Sequence, residues 1–427
     1  QAYVASDTTD GDGKGTIVTS TAGHVKLLAD SATDVQGYAV GGQGADKFAL
    51  GGSVVVNEYG NDVEAFIGTG SMANARGNVL VQAVDDVDLF QIAGVVTFAV
   101  SGGAVGLSNT TLLNTGTVKA HIDAATVQAD ALAGASTIYS GDGLGTEQRR
   151  GVAVTATSHL RNVNEAVAGT ASEKIGVAGS ATVNKFDEQT QAWIGDGALI
   201  NTATHAEGSL QDVVVRASDE SELISIAGGI SLNLGYNGPG AGADAGILEK
   251  TTEAWIWADE VQAKQNVVVE ARNHEDVFSI AGAVGVGEST GIAGSAGVYV
   301  TDITTRAFIG TDEAPGATGQ PVGTTIVAAD GSVLVSAFGE SEMDLIAGSI
   351  SGSSTKFGVG VSAAVPVVEK TTEAFLGSSA DVTGKGGGDV QARTGKFSIG
   401  AVAEATDPNA GTDEEGLFQL PVREFTP

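Results

Sequence analysis

Acidic side chains recur at intervals along this chain, and they are the first residues whose spacing could do chemistry. Asp85-Asp86-Val87-Asp88, Ser218-Asp219-Glu220-Ser221-Glu222, Asn273-His274-Glu275-Asp276 and Gly339-Glu340-Ser341-Glu342 each follow a V-x-V-x-A segment. If these stretches are turns stacked on one another, their like charges repel, and a divalent cation with a preference for oxygen would relieve them. The residues suited to weak calcium binding are therefore Asp85, Asp86, Asp88, Asp219, Glu220, Glu340 and Glu342. Asp7, Asp10 and Asp12 join them, because Asp10-Gly11-Asp12-Gly13 is half of a calcium loop. The competing reading is a set of charged turns that keep the surface soluble and discourage lateral strand pairing. Gly41-Gly42-Gln43-Gly44-Ala45-Asp46-Lys47-Phe48-Ala49 fits the calcium nonapeptide once. Such sites need consecutive copies that share ions, so a single copy is read as coincidence.

A second constellation is aromatic. The motif T-x-A-aromatic-I-G stands at Thr190–Gly195 and Thr305–Gly310, with variants at Val63–Gly68, Thr252–Trp257 and Thr372–Gly377. Two-residue alternation turns Ala and Ile inward. It places Phe66, Trp193, Trp255, Phe308 and Phe375 on the face that also carries Glu64, Gln191, Glu253, Arg306 and Glu373. Large aromatics on a polar face need a cover. Either the variable loop of the same repeat packs over them, or they form a ridge for rod-to-rod contact or glycan stacking.

Other chemistries are not supported. The chain has no cysteine, which closes thiolate metal sites, thiol nucleophiles and disulfides. Its histidines show no HExxH spacing, and neither a P-loop nor a GxSxG nucleophile elbow is present. Gly141-Asp142-Gly143-Leu144-Gly145 precedes no helical pattern, so it is not read as a nucleotide site. A polysaccharide-cleaving site would break the repeat locally, whereas these carboxylates recur with it. The chain is therefore not expected to be an enzyme. A net charge of −31 excludes non-specific nucleic-acid binding and docking on anionic lipid. No apolar run is long enough for a membrane-spanning helix.

These motifs sit in a repeat. V-x-V-x-A begins at Val79, Val152, Val213, Val267 and Val333, with a close variant at Val25 and a degenerate one, Val390-Gln391-Ala392. The intervals are 54, 73, 61, 54, 66 and 57 residues, a mean of about 61. Each copy runs V-x-V-x-A, acidic stretch, Ile-Ala-Gly (from Ile92, Ile226, Ile280 and Ile346), Gly/Ala/Ser-rich segment, T-x-A-aromatic-I-G and variable loop. Period-two alternation makes the apolar motifs strands. The fold expected is all-β: a right-handed parallel β-helix, or β-solenoid, over residues 1–405 with about six to seven repeats. At roughly 20 residues per coil, one repeat would supply three coils, and the whole would be a rod on the order of 100 Å long. The alternative is a string of small β-sandwiches, thin at about 61 residues each. Gln1-Ala2-Tyr3-Val4 reads as the aromatic motif without its front, and Asp389 opens an unfinished copy. The repeats thus start and stop mid-unit, as in an excerpt from a longer polypeptide. Residues 406–427 read as an irregular acidic tail or linker.

Asp212-Val213-Val214-Val215-Arg216-Ala217 and Thr252-Glu253-Ala254-Trp255-Ile256 carry a resemblance to the large repetitive surface adhesins of bacteria. It is closest to the filamentous-haemagglutinin-like and leukotoxin-type filamentous adhesins. The likeness spans roughly residues 1–405 and lacks any secretion domain, barrel or anchor. What it implies is an extracellular or surface-attached right-handed β-helix that makes fibres. Its partners would be further copies of itself, in a homopolymer or a longer chain, and glycans or another cell surface. Calcium is the one cofactor its acidic residues suggest.

Overall fold

The computed structural model describes residues 1–4, 15–203, 207–311 and 324–406. Asp7, Asp10, Asp12 and the tail from Asp407 lie outside the described residues. Three parallel sheets of seven strands each run through the copies, and one antiparallel hairpin is added to them. No described residue is helical. Each sheet continues from copy to copy, which a string of separate sandwiches would not do. The architecture is that of a β-solenoid.

Each coil has a long outbound strand, a tight turn, a long return strand and a short closing strand. In one coil these are Asp212–Asn233, Asn237–Ile256 and Glu260–Ala263. The outbound and return strands face each other, and the closing strand walls off one end. Registers follow the repeat: Val25 pairs with Val79, Val79 with Val152, Val152 with Val213, Val213 with Val267, and Val267 with Val333. The last step departs from the sequence alignment. Val390 lies beside Val335, so the degenerate motif is the second half of its copy, after Gly388-Asp389.

Two expectations are corrected here. One copy makes one coil, not three, because the polar stretch does not interrupt the strand. V-x-V-x-A, the acidic residues and Ile-Ala-Gly all belong to a single outbound strand, as in Asp212–Asn233. The acidic stretch is therefore mid-strand rather than a turn. The seven coils stack to about 30 Å at the spacing of paired strands, while each 20-residue return strand reaches about 65 Å. The molecule is a broad blade, and the 100 Å rod is not formed.

The inward face changes character along the blade. At the walled end Val213, Val215, Ala217, Ala254, Ile256 and Val261 belong to one continuous apolar core. Mid-blade, Leu89, Leu112, Phe186, Leu248 and Tyr299 are buried next to polar side chains. At the far tip the sheets close until backbone meets backbone. A Cβ on Gly240 would lie 2.2 Å from the Val284 carbonyl oxygen, and one on Gly242 2.2 Å from that of Gly282. The longest interval, Val79 to Val152, holds the hairpin of Ser136–Tyr139 and Thr146–Arg149, with Gly141–Gly145 in its turn. Its Ile138 is fully buried on Leu80, Ala153, Val214 and Val268, on the outer side of the outbound sheet.

The tip makes a specific prediction. Gly240→Val drives atoms into a facing carbonyl and is expected to cost about 3 kcal/mol or more. Gly228→Ala adds a carbon that meets nothing within 4 Å and is expected to change stability by less than about 0.5 kcal/mol. Denaturant midpoints of the two variants check the contrast.

Candidate functional site

Parallel strands in register place equivalent residues directly above one another, so each recurring position becomes a column. The aromatic position becomes a stack of rings on the outer face of the return sheet. Tyr3, Phe66, His121, Trp193, Trp255, Phe308 and Phe375 follow one another with centroids 5.4, 5.0, 4.1, 4.9, 5.8 and 4.9 Å apart. Interplanar angles are 15° at the first step and 7° or less beyond it. The cover that the sequence demanded is thus the ring of the next coil. His121 holds the aromatic position in the copy whose motif reads Val118-Lys119-Ala120-His121-Ile122. It accounts for a gap in the sequence reading, and its alignment with Trp193 was the signal available. Its Nδ1 lies 2.9 Å from Asp123 and its Nε2 3.2 Å from Glu64. The polar column beside the rings is also paired. Gln191 donates to Glu253 at 3.0 Å, and Arg306 bridges Glu253 at 3.2 Å and Glu373 at 3.1 Å.

The acidic candidates separate into three columns and do not converge. Asp85 and Asp219 point inward and are buried. Asp86, His159, Glu220, His274 and Glu340 form an outward column in which acids alternate with imidazoles. His159 Nδ1 lies 2.9 Å from Asp86, and His274 Nδ1 3.5 Å from Glu340. In the next column Arg161 lies 3.5 Å from Asp88 and 3.4 Å from Glu222, and Lys396 pairs with Glu342. Side chains of the chain itself thus stand against the stacked acids: the imidazoles of His159 and His274, and the cations Arg161 and Lys396. Crowding persists at Asp276, between Glu222 and Glu342, where burial and then Glu342 raise the carboxyl above its usual range. Among the described residues, no group of three or more His, Cys, Asp or Glu is arranged to hold a metal ion.

The strongest electrostatics lie inside the blade, where alternation carries polar residues inward. Lys250 is 1% exposed. Its Nζ contacts Asp219 Oδ1 and Ser221 Oγ, and it lies 2.8 Å from Glu188 Oε2 and 3.1 Å from Glu275 Oε1. Burial opposes the ammonium charge, but Asp219, Glu188 and Glu275 together hold its pKa well above the ordinary lysine value. Burial raises Glu188 and pushes Glu275 up to about 7, with Lys250 only partly offsetting it. Nearby, burial lowers Lys370 to about 8, and its Nζ donates to Ser341 at 2.7 Å. Six residues before Lys250 on the same return strand, toward the tip turn, the Asp244 carboxylate accepts from Thr182 at 2.5 Å, Ser225 at 2.8 Å and Tyr299 at 3.1 Å, and also from Ser279. None of these inward clusters was singled out from the sequence beyond Asp219, because alternation does not say which inward polar residues meet.

The tip presents apolar side chains outward on both faces. Leu50, Val54 and Val361 are each 62% exposed on one face, and Val96 and Phe98 are exposed on the other. The glycine of Ile-Ala-Gly forms the floor of a groove here. Gly228, Gly282 and Gly348 lie between Ile226, Ile280 and Ile346 on one side and Ile230, Val284 and Ile350 on the other. The groove encloses about 380 Å³. A Cβ on Gly228 or Gly348 would meet nothing within 4 Å, so packing within the chain does not require glycine there.

No protein-family model matches the chain, and no curated protein or solved structure matches it either.

Two outcomes follow from this geometry. Trp255→Ala splits the ring column and is expected to cost about 2–4 kcal/mol, from lost burial and two lost stacking contacts. Near-UV circular dichroism should lose the coupled Trp193–Trp255 signal while the far-UV strand signal stays. The buried carboxyls set a pH dependence. Glu275 binds its proton more tightly folded than unfolded, so its contribution is complete below about pH 4.5 and is lost as pH rises through about 7. The loss is on the order of 3 kcal/mol. Melting temperatures should therefore be higher at pH 5 than at pH 8, and Glu275→Gln should flatten the difference.

Proposed function

We propose that this chain is a stretch of an extracellular structural fibre, in the style of the large bacterial surface adhesins, and that its coils continue by stacking on further copies of the same repeat. In this reading it is a right-handed parallel β-helix of about 61-residue repeats, since strand twist makes about 98% of parallel crossovers right-handed. The role is mechanical rather than catalytic. Backbone ladders supply stiffness, and stability grows with the number of stacked coils.

The carrying observation is the pair of open edges. Among the described residues Val25–Ala45 and Gly387–Thr406 are the terminal outbound strands, each paired on one side only. Long unpaired edges are templates for further strands. The ring column supports the same continuation, because among the described residues Tyr3 and Phe375 each stack on one aromatic neighbour only. The apolar strips on both faces of the tip give the stacked blades a surface for lateral contact with copies of themselves. A composition without cysteine fits an extracellular setting. Glycan recognition by the aromatic column is the weaker reading. Sugars stack on ring faces, and from Phe66 to Phe308 both faces of every ring are taken by neighbours.

Electron microscopy and fibre diffraction of the concentrated protein test the proposal. Ribbons on the order of 65 Å wide with an axial spacing of about 4.8 Å are expected. Single particles that stay monodisperse at every concentration would overturn self-stacking.

A further inference from the structure

We propose that Lys250 and Asp219 become joined by an intramolecular isopeptide bond, formed inside the folded core with Glu275 as the proton carrier. Both side chains are at most 2% exposed, and Nζ is already in contact with Oδ1. They stand on facing strands of one coil: Asp219 on the outbound Asp212–Asn233 and Lys250 on the return Asn237–Ile256. The neighbouring coils supply the remaining groups, Glu275 from Val267–Gly287 and Glu188 from Ile175–Ile194.

Geometry singles out Asp219 among the three carboxyl groups that face the ammonium: its contact with Nζ is closer than those of Glu188, at 2.8 Å, and Glu275, at 3.1 Å. Burial raises Glu188 and Glu275 above the usual carboxylate range. A buried ion pair retains a desolvation penalty for each ion. An amide in its place carries no charge.

The step closes without a co-reactant. Glu275 Oε1 first takes a proton from the Lys250 ammonium, which frees the Nζ lone pair; Nζ then attacks Asp219 Cγ, the Nζ–Cγ bond forms and the Cγ–Oδ1 bond breaks. Two protons of the ammonium end on Oδ1, which departs as water, and the positive and negative charges cancel. Glu275 relays these protons and finishes in its starting state. Its Oε1 lies 3.1 Å from Nζ, and its Oε2 has no hydrogen-bond partner among the described residues. Thr190 Oγ1, 3.1 Å from Asp219 Oδ2, donates to the oxygen that stays as the amide carbonyl. The core around the cluster excludes bulk water, so hydrolysis has no ready reagent. The product would tie the outbound sheet to the return sheet of one coil, across 31 residues of chain. It stands independently of the fibre reading, although a fibre under load would gain from it.

Mass spectrometry of the purified folded chain, denatured only for measurement, decides the matter. Lys250 is the one basic residue between Arg216 and Lys264, so the bonded chain gives a single tryptic peptide of residues 217–264. That peptide should be about 18 Da lighter than its sequence, with fragmentation linking Asp219 to Lys250. Cleavage after Lys250 with both peptides at full mass would overturn the bond, whether or not any variant folds. Lys250→Arg keeps the charge but should abolish the loss of water. Glu275→Gln should leave most of the chain unbonded; complete bonding in that variant would overturn the role given to Glu275.

Discussion

Parallel strands stacked in register at about 4.8 Å are the constraint on which the rest of this structure depends. Once the coils superimpose, a residue type is no longer a local choice. It becomes a column, and every column must be compatible with itself. Aromatic side chains meet this condition by stacking face to face. Acidic side chains do not, and the outward columns interleave His159, Arg161 and His274 with the carboxylates, while Lys396 reaches Glu342 from beside the column. The repeat therefore need not be conserved at each position, but each column must remain balanced.

The inward face obeys a harsher version of the same rule, because charges there have no solvent. Twenty-residue strands cannot be lined with large apolar residues throughout without forcing the two sheets apart. The blade resolves this by tapering. Val, Ile and Ala fill the walled end, a polar network with Leu, Phe and Tyr fills the middle, and glycine lets the tip close on its own backbone. The polar middle has a cost. The Lys250 cluster and Asp244 both hold carboxyl groups above their usual range through burial. That energy is tolerated because each group is tied to several partners from different coils, so it also locks the register.

Outward, the taper leaves a thin edge with apolar side chains on both faces. Such an edge has no interior of its own in which to hide them. The proposed assembling role draws on this edge together with the terminal outbound strands, which among the described residues are paired on one side only.

Alternation in V-x-V-x-A and T-x-A-aromatic-I-G was enough to determine strands, their buried faces, their parallel stacking copy on copy, and the outward placement of Phe66, Trp193, Trp255, Phe308 and Phe375. These follow from two-residue periodicity, which the chain displays directly. Alternation did not determine the length of a coil. Asp85 and Asp219 made the acidic stretch look like a turn, because polarity in one chain cannot distinguish a solvated bend from a strand whose polar partners arrive from elsewhere. Asn61 supplies that partner for Asp85, and Lys250 does so for Asp219. Nor could it show that rings of successive copies would cover one another, or that Lys250 meets Glu188, Asp219 and Glu275. Those are contacts between coils and between facing sheets. They depend on how the chain superimposes on itself, and only the tertiary structure decides that.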